Sequence, residues 1–203
     1  ITAGSRGIDR IDEVLKAVVD EVRALGAVPF LVPAMGSHGG ATAEGQLDLI
    51  SHYGVTEERM GCPILSSMET VELGFVENDV PVWIDRNAYQ ADAIIPVGRV
   101  KPHTDFRGPV ESGLMKMIAI GLGKQHGANF FHHQGMGEFH HLIPAVANYT
   151  ISRVNIPFGV AVIENGYGHL AQAEAVPAER IFEREQELLR IARGRMGRLP
   201  GEQ

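Results

Sequence analysis

Histidine is the side chain whose proton moves most readily near neutral pH. This chain carries nine, against four lysines: Lys16, Lys101, Lys116 and Lys124. Two histidines stand where a ligand could reach them. His38 sits in Gly36-Ser37-His38-Gly39-Gly40-Ala41-Thr42, bracketed by glycines that let a ligand approach the backbone. His103 follows Lys101-Pro102, and Pro102 restricts the backbone just before the imidazole. Further on, Glu111-Ser112-Gly113-Leu114-Met115-Lys116-Met117 sets a lysine inside an apolar run. Such a lysine either snorkels to solvent or is held in a site, where burial removes its charge and leaves a nucleophilic amine. The spacing alone favours snorkelling. Near the start, Gly4-Ser5-Arg6-Gly7 offers backbone N–H groups and a guanidinium to a carboxylate or phosphate. The plainer reading of each loop is a tight turn with a surface arginine or a turn histidine.

His126, His132, His133, His140 and His141 cluster further along. The adjacent His132-His133 cannot both face one side of a regular element. No spacing matches a His-Glu-x-x-His site or a di-iron carboxylate set, so no common cage built of protein ligands alone is visible. A single imidazole binding a metal held mostly by another group stays open. No Ser or Cys nucleophile with a nearby acid/base partner is evident. Cys62 and the scattered methionines read as packing.

The elements that must position these residues follow from the apolar pattern. Ile8, Ile11, Val14, Leu15, Val18, Val19, Val22 and Leu25 share one helical face, which predicts a helix over Asp9–Leu25 stopped by Gly26. Val28–Val32 predicts a strand, and Thr42 caps a helix over Ala43–Tyr53. Val71–Val76 and Val80–Ile84 predict a hairpin about Asn78-Asp79. Ala93–Val97 predicts a further strand, Leu114–Leu122 and Phe139–Val154 predict helices, and Phe158–Glu164 and Gly168–Val176 predict strands joined at Asn165-Gly166. Ala178–Arg195 predicts the last helix. This order is that of an α/β domain: an open, mostly parallel sheet with helices on both faces and an antiparallel hairpin excursion. In such sheets ligands sit beyond the C-terminal strand ends, where all three loops fall.

Composition narrows the partners. Lys and Arg number 18 against 25 Asp and Glu, a formal net charge of −7, with no basic run. The electrostatic footprint of a nucleic-acid binder is therefore absent. No stretch reaches the roughly 18 apolar residues needed to span a bilayer. One cysteine excludes an intramolecular disulfide framework, so the expected compartment is the cytoplasm. The start, Ile1-Thr2-Ala3-Gly4, reads as a strand end, as in a segment of a longer protein.

Together the residues Gly4-Ser5-Arg6-Gly7, Gly36-Ser37-His38 with Thr42, Pro102-His103, Lys116, and His132 within Gly127-Ala128-Asn129-Phe130-Phe131-His132 resemble the N-terminal half of the nickel-pincer lactate racemase family. The likeness covers about residues 1–199. It implies one α/β domain over residues 1–203, the N-terminal half of a two-domain protein whose C-terminal domain completes the substrate pocket. It implies nickel in a pincer (pyridinium thiocarboxylic acid) mononucleotide tethered to Lys116, with His132 as the protein's nickel ligand. His38 and His103 become an acid/base pair, and Arg6, with Ser5, becomes a cofactor or substrate-carboxylate contact. The implied reaction is inversion of a 2-hydroxy acid by reversible hydride transfer. Cofactor biosynthesis proteins are implied as partners. One departure is the longer stretch Gly108-Pro109-Val110-Glu111-Ser112-Gly113 before the lysine, which contains an acid. The substrate class is accordingly lactate or a related hydroxy or sugar acid. Two other readings of the residues stand beside this one: a non-catalytic nucleotide- or anion-binding module of the same fold, and a histidine-based metal hydrolase.

Overall fold

The computed structural model describes residues 1–77 and 79–197; Asn78 of the expected turn lies outside them, as do residues 198–203. The chain opens with β1 (Thr2–Ala3) and α1 (Ile11–Ala24). Helix α1 buries Ile11, Leu15 and Val19, and Gly26, at φ +85°, turns the chain away beyond its end. The helix starts two residues later than expected because Asp9 is engaged elsewhere. Its N–H donates to Glu164 Oε1 and its Oδ2 accepts from the Leu170 N–H, both at 2.8 Å.

Strand β2 is only Val32–Pro33, not Val28–Val32. Val28 is 91% exposed, and the apolar run joins the sheet only at Leu31, bridged to Ile64. Helix α2 (Ala43–Ser51) begins at Thr42, whose Oγ1 accepts the Gly45 N–H at 3.0 Å. The short α3 (Glu57–Met60) follows. Strands β3 (Thr70–Val76) and β4 (Val80–Asp85) pair as the expected antiparallel hairpin, and α4 (Arg86–Tyr89) leaves it. Strand β5 is Val97–Arg99 rather than Ala93–Val97. Pro96 has no N–H to give a ladder, although its carbonyl accepts the Val160 N–H at 2.8 Å.

The second half contains α5 (Leu114–Lys116), which runs into a π-helical turn over Met117–Gly121, and then α6 (Lys124–Gln134) and α7 (Phe139–Arg153). Strands β6 (Phe158–Glu164) and β7 (Leu170–Pro177) follow, then α8 (Ile181–Arg195). Strand β7 starts later than expected because Asn165 Oδ1 closes the turn on the N–H groups of Tyr167 and His169. A 3₁₀ turn over Ala178–Arg180 takes the first residues of the expected last helix.

Strands β1 and β2 pair in parallel, as do β5 and β6, while β7 pairs antiparallel to β6. The ladder breaks between β1 and β5, where Thr2 Oγ1 instead of a carbonyl accepts the Val97 N–H at 2.9 Å. The open α/β sheet is thus built of shorter ladders than the apolar runs suggest. Val160 and Val162 pack with Leu15 and Val19 on one face, while Ala161 and Ile163 pack with Leu114, Ile143 and Leu188 on the other. This alternation is why β6 reads as a continuous apolar run: helices cover both faces. Among the described residues no helix is long and apolar enough to cross a membrane.

Candidate functional site

The loops that leave β1, β2 and β5 meet over one cavity of about 350 Å³, within the range of small-molecule sites. Ser5 and Arg6 come from the first loop, His38 from the second, and Lys101 and His103 from the third. Lys116 on α5 and His132 on α6 line the same cavity. The six residues singled out from the sequence therefore share one crevice. The other clustered histidines lie outside it. The ring nitrogen Nδ1 of His133 donates to Asn129 O at 2.6 Å, His126 Nδ1 meets Thr70 Oγ1 at 2.7 Å, and His141 faces Glu77 and Glu138.

A buried polar chain holds the His38 loop. Gln46 Nε2 donates to Gly36 O at 2.9 Å and to His38 O at 3.2 Å. Gln46 Oε1 accepts from Lys124 Nζ at 2.9 Å, and Lys124 Nζ also reaches Pro33 O at 2.6 Å and pairs with Asp85 at 3.1 Å. All three side chains are fully buried. Burial pushes the Lys124 pKa down, and Asp85 opposes it. On its other side the loop abuts the π turn after Lys116, where the Gly36 N–H donates to Gly121 O at 3.2 Å. A Cβ at Gly121 would lie 2.7 Å from Ala34 O, so only glycine admits this approach. Such π turns within helices recur at functional sites.

Ser5 Oγ lies 2.5 Å from His38 Nδ1. This corrects the expectation that no hydroxyl has an acid/base partner; a separation of 33 positions hides the pair in the sequence. His103 Nδ1 accepts the Asp105 N–H at 3.1 Å, which leaves the neutral ring's proton on Nε2, and its ring packs against Phe106 at a 36° tilt with centroids 4.5 Å apart. Lys116 Nζ lies 5.8 Å from the centre of the same Phe106 ring. It lines the cavity instead of running out to bulk water, which corrects the snorkelling preference. Burial, then Arg6 and Lys101, lower its pKa to about 8. About a tenth of such amines are uncharged at pH 7. Burial is also the first cause lowering the pKa of His38, followed by Arg6 and Lys116, and that of His103, followed by Lys116.

Arg6, Lys101 and Lys116 make no ion pair among the described residues. Three cations thus face one crevice in a chain of net charge −7, an arrangement that attracts an anion. No group of three or more His, Cys, Asp or Glu among the described residues is placed to hold a metal ion. Lys101, Met35, Met117 and Met136 also line the cavity, although the residue pattern assigns Lys101 no role and the methionines only packing. The position of Lys101 two residues before His103, just after β5, was the available signal.

No curated protein matches the chain. Among solved structures, the lactate racemase apoprotein from Thermoanaerobacterium thermosaccharolyticum is similar, with a TM-score of 0.65 and 16% identity. The match covers 92% of this chain and 47% of that one, so the chain spans about half the length of that racemase. At this identity the likeness shows the fold. The model of the lactate racemase N-terminal domain family matches residues 5–140 and takes in Arg6, His38, His103, Lys116 and His132; the chain belongs to that family.

Proposed function

We propose that this domain is the cofactor-bearing half of a racemase or epimerase that inverts a 2-hydroxy acid, lactate or a related hydroxy or sugar acid, by reversible hydride transfer. The observation that carries the reading is the convergence of Arg6, His38, His103, Lys116 and His132 on one cationic cavity. The residues fit a nickel-pincer (pyridinium thiocarboxylic acid) mononucleotide. Lys116 offers a half-buried amine of lowered pKa for a covalent tether. With no protein-only metal cage among the described residues, His132 offers one imidazole to a metal whose other donors come from the bound group. When bound, that group supplies the acceptor and donor of the hydride on the substrate's C2.

The chain's own residues do the rest. Arg6 forks the substrate carboxylate, and Ser5 supports the same corner of the site. One imidazole of the His38–His103 pair takes the hydroxyl proton as the hydride leaves C2, which yields a planar 2-keto acid. The other gives a proton to that oxygen as the hydride returns to the opposite face. One ring therefore starts neutral and the other charged, and a turnover exchanges them. Ser5 Oγ can donate to or accept from His38 Nδ1, so it serves both forms of that ring. His103 has the Asp105 N–H for its neutral form and the Asp105 carboxylate, 3.7 Å from Nδ1, for its charged form. Acylating Lys116 removes a positive charge that lowers both imidazoles.

The substrate pocket is completed by a C-terminal domain of the same protein, and cofactor biosynthesis proteins in the cytoplasm load Lys116. The Ser5–His38 contact favours a hydrolytic reading, but among the described residues no carboxylate hydrogen-bonds the His38 ring to complete a triad. The test is intact-mass and peptide mass spectrometry after coexpression with the cofactor biosynthesis proteins. The expected result is added mass on Lys116 that Lys116→Arg abolishes. An unmodified Lys116 in protein that interconverts the enantiomers would overturn the tether.

A further inference from the structure

The loop from Lys101 to Ser112, just before the helix that carries Lys116, is closed by a two-way backbone clasp. The Lys101 N–H donates to Ser112 O at 2.9 Å, and the Ser112 N–H donates to Lys101 O at 3.2 Å. Inside the clasp sits Glu111, only 1% exposed, to which none of the roles above refers. Its Oε2 accepts the His103 backbone N–H at 2.6 Å. Its Oε1 accepts from Arg193 Nη2 at 2.6 Å and from the Gly108 N–H at 3.3 Å. Arg193 reaches in from α8, 82 positions away, and its side chain remains 44% exposed. Arg107, which donates to His103 O, lies 4.0 Å from Oε2.

The physical need is plain. Pro102 contributes no N–H, and His103 lies outside any strand, so its amide has no ladder partner. A buried carboxylate meets that amide with a charge-assisted bond, and the guanidinium of α8 makes the buried charge tolerable. We propose that Glu111, anchored by Arg193, is a positioning residue that sets His103 in the cavity through its backbone amide. The inference rests on the reading of His103 as an acid/base group. It gives the longer, acid-containing stretch before Lys116 a purpose: the carboxylate braces the loop that this length creates. Glu111 also acts on the ring electrostatically. The groups that face His103 are Lys116 and Lys101, which disfavour its charged form, and Asp105 and Glu111, which favour it.

Amide exchange and imidazole titration by NMR on the 203-residue chain test the link directly, without any cofactor. Glu111→Ala should speed exchange of the His103 amide by about 10–100-fold. Glu111→Gln keeps an oxygen acceptor and loses the charge, so it should retain most of the protection while lowering the His103 pKa. Arg193→Gln changes a half-exposed side chain and should loosen the same amide if Glu111→Ala does not fold. In the loaded full-length protein, Glu111→Ala should lower kcat about 10²-fold with KM little changed, as a misplacement of a reacting group does, and Glu111→Gln should restore most of it. Wild-type exchange and titration in Glu111→Ala or Arg193→Gln would overturn the positioning role. Loosened exchange with an undiminished kcat would leave the Glu111–His103 link standing and refute the acid/base role of His103 instead.

Discussion

Glu185 on α8 offers a sharp test of how burial sets charge beneath the site. Its side chain is fully buried under the turn that carries Lys116; Oε2 accepts the Met115 N–H at 2.9 Å and Oε1 has no hydrogen-bond partner. Burial raises its pKa from 4.5 to about 7, against the backbone N–H groups of Met115 and Leu114. Between these values the folded chain keeps a proton that the unfolded chain has lost. The stability this group contributes is therefore full below about pH 4.5, falls as pH rises to about 7, and is flat above. At about 1.36 kcal/mol per pH unit, the gap corresponds to about 3 kcal/mol. Glu185→Gln removes the titration and keeps an oxygen for the Met115 N–H. Any fixed cost of the new amide cancels when the variant and wild type are compared across pH. Urea unfolding at a series of pH values should show the variant gaining about 3 kcal/mol on wild type between about pH 4 and pH 8. A difference that stays constant across this window would refute the reasoning, because the carboxylate would then titrate as it does in water.

Lys116→Gln removes a cation that disfavours charged His103, so the His103 pKa should rise toward 6.5, read from its ring protons by NMR; an unchanged titration contradicts the geometry. Lys124→Met strands the buried Asp85 carboxylate and should cost about 3–5 kcal/mol in urea unfolding. Adding Asp85→Asn should recover part of that loss, whereas a single-variant cost under about 1 kcal/mol would show that the pair is not buried as described. In the loaded protein, His132→Ala should release nickel faster than wild type while His133→Ala should not, measured by metal analysis after dialysis. The reverse pattern would place the ligand one residue later.

Much of this was legible because local physics agreed with the final packing. The apolar stripe of α1, the Thr42 cap and the apolar run of β6 each stand in the sequence and in the fold. Helix α6 escaped because its buried face is Lys124, Gly127, Ala128 and Phe131. The spacing is helical, but a lysine and a glycine hide the apolar signal, and Lys124 is tolerated inside only because Asp85 and Gln46 arrive from distant segments. Strand β5 was misplaced for a local reason, the missing N–H of Pro96. The site loops were legible as glycine-rich turns after strands. The Ser5–His38 contact and the Glu111–Arg193 brace join residues 33 and 82 positions apart, and no pattern of residue types announces such pairs.

The central claim is that the hydrogen on C2 travels as a hydride within this cavity, with His38 and His103 moving only the hydroxyl proton. The direct measurement uses one enantiomer of a 2-hydroxy acid deuterated at C2, incubated in ordinary water with the loaded full-length protein. The account predicts that the opposite enantiomer forms with its C2 deuterium retained, and that Lys116→Arg abolishes the conversion. Inversion with loss of the deuterium to solvent would contradict it, because the C2 hydrogen would then have left as a proton.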